Sequence, residues 1–165
     1  MGGGPRTTAR VVTVGNAILR AATDADLTAV EAIERACFLS DPWPRESFEA
    51  FIGRSGITFL VADAAGRDGE LAGYAVMMQA ADESELLNLA VSAGFRRRGV
   101  GSALLERVLD ICSAQSVRAV YLEVREANVA ARGLYEAHGF SEVGRRRGYY
   151  QRPVEDALIL QRVEP

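Results

Sequence analysis

The stretch that most restricts the fold runs from residue 86 to residue 124. It opens with Leu86-Leu87-Asn88-Leu89-Ala90-Val91, a nearly continuous apolar run of the kind a strand carries when both its faces are covered. Phe95-Arg96-Arg97-Arg98-Gly99-Val100-Gly101-Ser102 then turns the chain. Ala103, Leu104, Val108, Leu109, Ile111 and Cys112 give the following segment one apolar helical face. Val117 to Val124 returns to period two, with Val120, Leu122 and Val124 alternating. A strand, a glycine turn, a helix and a second strand make a crossover, which sets the two strands parallel. The chain is therefore predicted to be α/β.

The flanking elements follow from local signals. Ala17-Ile18-Leu19-Arg20 reads as a short strand. Thr23 and Asp26 have the spacing of a capping box before a helix that carries Leu27, Val30, Ile33 and Cys37 on one side. Pro42 and Pro44 interrupt the chain around Trp43, and Pro44 suits the first turn of a second helix with Phe48, Phe51 and Ile52. Ile57 to Ala62 and Leu71 to Met78 are predicted strands, joined by a turn from Gly66 to Gly69. Asn128 can cap a helix ending at His138-Gly139, with Gly139 as the left-handed residue after it. Phe140 to Val143 and Tyr149 onward read as one strand, bent or interrupted around Gly144 to Gly148. Ala157 to Val163 is the last strand. The two strand–helix–strand crossovers imply locally parallel strands, and the meander before them implies antiparallel ones. The expectation is a single domain over residues 17–165, a mixed and mostly antiparallel sheet of about six to seven strands flanked by about four helices. Residues 1–16, Gly-rich and then polar around Val-Val-Thr-Val, are expected to be a flexible tail.

Composition removes several classes of function. In 165 residues, 19 basic groups oppose 22 acidic ones, a net charge of −3, whereas a chain that coats nucleic acid carries a large positive excess. All the basic residues are arginine, so a phosphate loop built on lysine, Schiff-base chemistry and lysine bases are excluded. Cys37 and Cys112 are too far apart in sequence for a metal pair, and His138 is the only histidine, so no metal site is expected. No apolar run approaches the roughly 20 residues of a membrane span, and the N-terminus lacks the apolar core of a signal peptide. The expectation is a soluble, cytoplasmic monomer with no membrane or specific nucleic-acid partner.

The glycine turn carries the first hint of chemistry. Arg96-x-x-Gly99-x-Gly101 follows a strand and opens a helix, where free amides and the helix dipole favour an anion such as phosphate. A dinucleotide fingerprint needs a third glycine where Leu104 stands, so that reading fails. Spacing alone leaves phosphate binding and a plain tight turn both open.

Read together with Leu122-Glu123-Val124-Arg125, Asn128, Ala131, Leu134-Tyr135-Glu136 and Gly139-Phe140, the turn resembles that of the GNAT superfamily of acetyl-CoA-dependent N-acetyltransferases. The resemblance covers residues 17 to 163. It is closer still to the RimI type, the ribosomal-protein-alanine N-acetyltransferases. Asp41-Pro42-Trp43-Pro44 with Phe48, the run Glu85 to Val91, and Tyr149-Tyr150-x-x-Pro153-x-Glu155-Asp156-Ala157 carry that likeness. Ala93, where proline is common, and Gly133, inside a predicted helix, depart from the pattern.

The resemblance implies acetyl transfer from acetyl-CoA, without a metal, to the N-terminal alanine of a small-subunit ribosomal protein. It implies that Arg96, Arg97, Arg98, Gly99, Val100, Gly101 and Ser102 wrap the diphosphate of coenzyme A. Leu89, Ala90 and Val91 would pair with the pantetheine arm through main-chain groups, and Asn128 would contact the cofactor as well as cap its helix. Glu123 is implied as the base and Tyr135 as the acid; as residue types alone they are equally a solvent-facing strand glutamate and a packing tyrosine. Trp43 and Tyr150 are implied in substrate binding, with a local packing role for Trp43 as the alternative. Glu155 and Asp156 would help shape the same pocket. Arg145-Arg146-Arg147 is expected to be a solvated loop, with contact to RNA or an acidic partner as the second reading. Two rivals remain at this level: a GNAT enzyme acting on a small amine or lysine side chain, and a coenzyme A-binding module without catalysis.

Overall fold

The computed structural model describes residues 11–14 and 17–164. Its strands are β1 (Val12–Val14), β2 (Ala17–Ala21), β3 (Ile57–Ala64), β4 (Leu71–Ala80), β5 (Glu83–Val91), β6 (Ala119–Arg125), β7 (Ser141–Gln151) and β8 (Val154–Val163). Its helices are α1 (Leu27–Cys37), α2 (Arg45–Phe51), α3 (Val100–Ala114) and α4 (Val129–Ala137). The strands form one sheet in the order β1-β2-β3-β4-β5-β6-β8-β7, in which β5–β6 is the only parallel pair among the described residues.

Three expectations are corrected. The sheet has eight strands, because Val12–Val14 pairs with β2 through Val12↔Leu19 and Val14↔Ala17. The Val-Val-Thr-Val patch therefore lies partly in the sheet edge, while residues 1–10, 15 and 16 of the expected tail lie outside the described residues. The second crossover, β6-α4-β7, yields no parallel neighbours: β8 inserts between β6 and β7 and pairs antiparallel with both. The segment around Gly144–Gly148 is strand rather than loop. β7 runs unbroken and absorbs the irregularity as register shifts at Glu142/Gly144 and Arg146/Tyr150.

Two cores sandwich the sheet. On one face α3 sends Ala103, Leu104, Leu105, Val108 and Cys112 onto Leu60, Met77, Leu86, Leu122 and Leu158, with Tyr135 and Phe140 closing the end. On the other face α1 and α2 send Leu27, Val30, Ile33 and Phe48 onto Phe59, Val61, Tyr74 and Val76. β4 lies between the two, and Leu71 to Met77 is buried throughout. The caps form as expected. The Thr23 N–H donates to Asp26 Oδ2 at 2.8 Å, the Ala131 N–H donates to Asn128 Oδ1 at 3.1 Å, and Gly139 has φ +85°. Among the described residues no helix is long and apolar enough to cross a membrane.

Candidate active site

β5 and β6 pair only from Glu83↔Ala119 to Leu86↔Leu122, although β5 continues to Val91 and β6 to Arg125. The cause lies on β5. Its register with β4 shifts so that Met77 faces Leu86 while Val76 faces Asn88, which leaves Leu87 as an extra residue. Such a bulge bends its strand. The side chains record it: Leu86 belongs to the α3 core, Leu87 packs with the α1 core, and Leu89 and Val91 return to the α3 side. A wedge opens between residues 87–91 and 123–125, where the β5 edge has lost its ladder partners.

The glycine turn meets the β5 side of this wedge. Gly99, with φ +79°, caps α3, and Arg97 also has positive φ, at 60°. A Cβ at Gly99 would have nothing within 4 Å, so the turn faces open space. A Cβ at Gly101 would lie 3.4 Å from Leu134 and 3.5 Å from Val91, so the first turn of α3 is seated against β5 and α4. Its unpaired amides therefore face outward beside the end of β5. Arg98 lies over the Phe95 ring at 5.7 Å. The Arg96 Nε–H donates to the Val91 carbonyl at 3.3 Å, and its Nη2 lies 3.5 Å from Cys37 Sγ. Ala90 is buried and Leu89 and Val91 half-buried, so their side chains are core and only main chain is left to bind. Val100 is likewise core, Ser102 is half-buried, and Asn128 is an exposed cap just beyond β6.

Glu123 and Tyr135 approach from opposite faces of the sheet. Glu123 stands between the buried Leu122 and Val124, so it points away from the α3 core and is partly accessible. Tyr135 lies on the α3 side, edge-on to Phe140 at 5.8 Å. Burial, with a smaller contribution from Tyr150, pushes its phenol up to about 12. Tyr150 acts on Tyr135 and itself feels Glu123. Its own phenol is raised to about 12 by burial, against the pull of Arg125. The wedge thus has a protonated phenol on one side and a carboxyl group on the other.

The acetyltransferase (GNAT) family profile matches residues 27–140. The chain belongs to the GNAT acetyltransferase family. Ribosomal protein bS18-alanine N-acetyltransferase of Escherichia coli is 36% identical over 137 residues, covering 82% of this chain and 89% of that protein. The crystal structure of the corresponding Escherichia coli enzyme superposes with a TM-score of 0.78 at 32% identity, covering 88% of this chain and 92% of that one. That of Ard1 from Thermoplasma volcanium superposes with a TM-score of 0.79 at 26% identity, covering 91% and 99%. The family resemblance, the α/β fold and the acetyltransferase activity expected from the sequence hold.

A GNAT enzyme needs an acyl donor, and the residues present fit one that carries a diphosphate. The amide-lined turn at Gly99 would receive the anion, and the unladdered β5 edge would accept an extended arm as an added strand. A cleft of about 340 Å³, the candidate acceptor site, is lined by Ser40, Asp41, Arg125, Tyr149, Tyr150, Gln151 and Arg152. Arg125 organises it. It bonds Asp41 at 3.2 Å and Glu155 at 3.0 Å, and its guanidinium lies 3.9 Å over the Tyr150 ring. Asp156 instead accepts from the Gly148 N–H at 2.9 Å and fastens the β7–β8 hairpin. A larger hollow of about 580 Å³ lies where β5 and β6 begin and holds none of the predicted site residues.

Not every predicted site residue converges. The Trp43 ring packs on Phe48 and Phe51 at 5.6 and 5.7 Å, and its main-chain N–H donates to the buried Glu34 at 2.8 Å. The arginine run is not a loop of free cations: Arg145 is paired with Glu126, Glu142 and Asp156, and Arg146 with Glu123. Asp41 stands in the segment likened to the family's substrate-side loop, Glu85 in the one likened to its central strand, and Arg146 in the arginine run, but none of them is implied as an individual site residue. Arg125 stands two residues beyond Glu123 and so on the same strand face.

Proposed function

We propose that the chain transfers the acetyl group of acetyl-CoA to the α-amine of an N-terminal alanine, with ribosomal protein bS18 as the acceptor. The carrying observation is the wedge between β5 and β6, flanked by Tyr135 and Glu123 and continued by the amide-lined turn at Gly99. The curated relative's acceptor supports the choice of substrate. A ribosomal acceptor implies action in the cytoplasm.

Leu89, Ala90 and Val91 would hold the pantetheine arm through main chain, and the amides of Gly99 to Ser102, with Arg97 and Arg98, would hold the diphosphate. The bound thioester supplies an activated acetyl group. Glu123 takes the proton from the attacking amine as the N–C bond forms. Tyr135 Oη supplies a proton to the sulfur as the C–S bond breaks. Solvent then takes the proton from Glu123 and returns one to Tyr135, which restores both groups. An α-amine has a pKa of about 7.7–8.0 against about 10.4 for lysine, so a single carboxylate suffices for the former.

The acceptor cleft does not favour a polyamine, because Asp41 and Glu155 are opposed by Arg125, with Arg152 also in the lining, and Glu123 is paired with Arg146. The test incubates the enzyme and acetyl-CoA with peptides that differ only in their first residue (Ala, Ser, Gly, Met), with a lysine-containing peptide blocked at its N-terminus, and with spermidine. Mass spectrometry reads the products. Preferential acetylation of the Ala peptide is expected; preference for the blocked peptide or spermidine would refute the assignment.

A further inference from the structure

Glu123 does not stand alone. Arg146 Nε lies 2.7 Å from Glu123 Oε1, with the Arg146 side chain 56% exposed and that of Glu123 22%. The two come from strands separated by β8. The pairs Glu123↔Ile159 and Arg146↔Ala157 put them on one face of the sheet, because Ala157 and Ile159 are two residues apart. From the other side β5 presents Glu85. It pairs with Tyr121, so Glu123 is the next β6 residue on the face Glu85 shares. Burial, and then the charge of Glu123, hold the Glu85 carboxyl above its usual range, while Arg146 acts in the opposite sense. Tyr150 also senses Glu123, and Arg125 stands two residues along β6 on the same face, held by Asp41 and Glu155. The carboxyl group therefore sits between one cation from β7 and one like-charged group from β5.

We propose that Arg146 and Glu85 are an opposed pair of positioning residues that govern the charge on Glu123, with Arg146 as a resident counter-ion that the acceptor ammonium displaces. This rests on Glu123 being the base. A carboxylate held by a guanidinium alone is a poor proton acceptor, and a second carboxyl group beside it restores its affinity for a proton. Arg146 is suited to leave. It is more than half exposed, and its guanidinium already lies 5.5 Å over the Tyr149 ring, a seat it can keep when it releases Glu123. Exchange of one cation for another keeps Glu123 paired while the amine is seated.

The test follows the carboxyl carbon resonance of Glu123 by 13C NMR through a pH titration, assigned by its loss in Glu123→Gln. It is read in wild type, Arg146→Gln, Arg146→Lys and Glu85→Gln, beside the pH profile of kcat/KM. The Glu123 midpoint is expected to rise by about one pH unit in Arg146→Gln, to move less in Arg146→Lys, and to fall in Glu85→Gln. The acidic limb of kcat/KM should follow in each case. Midpoints that stay put, or that move the same way in the Arg146→Gln and Glu85→Gln proteins, overturn the proposal. The base assignment fails separately, if Glu123→Gln retains wild-type turnover.

Discussion

Glu34 fixes the acceptor-side loop to the strand that borders the wedge, and its removal has a calculable cost. Its side chain is 1% exposed. Oε1 accepts the Trp43 N–H at 2.8 Å, and Oε2 accepts Asn88 Nδ2 at 3.0 Å and the Tyr74 hydroxyl. These donors lie on three separate pieces: the loop after α1, the β5 bulge and the centre of β4. Glu34→Ala orphans all three. A buried donor without a partner costs about 1–3 kcal/mol, so the sum is about 3–9 kcal/mol. Water entering the vacated space recovers part of it, which leaves about 3–5 kcal/mol, a large share of the roughly 5–15 kcal/mol that holds a domain together. Glu34→Gln should cost only about 1 kcal/mol. Its oxygen can keep the Trp43 N–H, while the Tyr74 hydroxyl rotates and the Asn88 amide turns to accept the new NH2. Urea unfolding at pH 7 with unchanged m-values measures both. At a temperature where both variants are folded, the Ala variant should also show a raised KM for acceptor peptide. A Glu34→Ala loss below about 1 kcal/mol, or equal losses for the two variants, would refute the three-donor reasoning.

Deleting Leu87 removes the bulge residue, makes Asn88 follow Leu86 opposite Val76 and Met77, and lets β5 pair with β6 beyond Leu122. A folded protein with no calorimetric signal for coenzyme A is expected; wild-type affinity would show that the bulge does not open the site. Gly99→Ala meets no atom but keeps a φ of +79° that costs an alanine about 1–2 kcal/mol, and coenzyme A affinity should fall at least about tenfold as a methyl enters the turn. Tyr135→Phe preserves packing, so Tm should change little while kcat falls about 10²–10⁴-fold. With the wild-type phenol at about 12, its pH profile should show no descending limb from this group below about pH 11. Burial pushes the Asp26 carboxyl up, but the bonds from Arg20 and the Thr23 N–H outweigh it and leave the group below its ordinary 3.8. Its stabilising effect is therefore present above the unfolded pKa and lost as pH falls through the folded one. Asp26→Asn should be less stable than wild type at pH 7, and the difference seen in denaturant titrations should shrink as pH falls below the ordinary carboxylate range.

What was legible in the sequence was what a few neighbouring residues decide. Thr23 with Asp26, Asn128 with Ala131, and Gly139 after α4 sit where local hydrogen bonding and positive φ put them. The crossover from β5 through α3 to β6 followed from apolar periodicity and a glycine turn. β1 escaped because three residues at an exposed edge carry almost no burial pattern. The insertion of β8 between β6 and β7 escaped because pairing order within a sheet is settled by contacts between residues far apart in sequence.

The site divides along the same line. Its main-chain parts depend on glycine and on strand character, which are written locally. Its charges depend on register. Arg146 reaches Glu123 because the shift between Arg146 and Tyr150 sets it opposite Ala157, and Glu85 flanks Glu123 because β5 and β6 pair as far as Leu86↔Leu122 and then part. One extra residue in β5, Leu87, accompanies that parting. It also leaves both Leu87 and Asn88 on the α1 side, where Glu34 receives the Asn88 amide. Under the proposed function, the irregularity that frees a strand edge for the acyl donor thus also anchors the loop that faces the acceptor. A substitution that repairs the sheet should therefore disturb both halves of the reaction together.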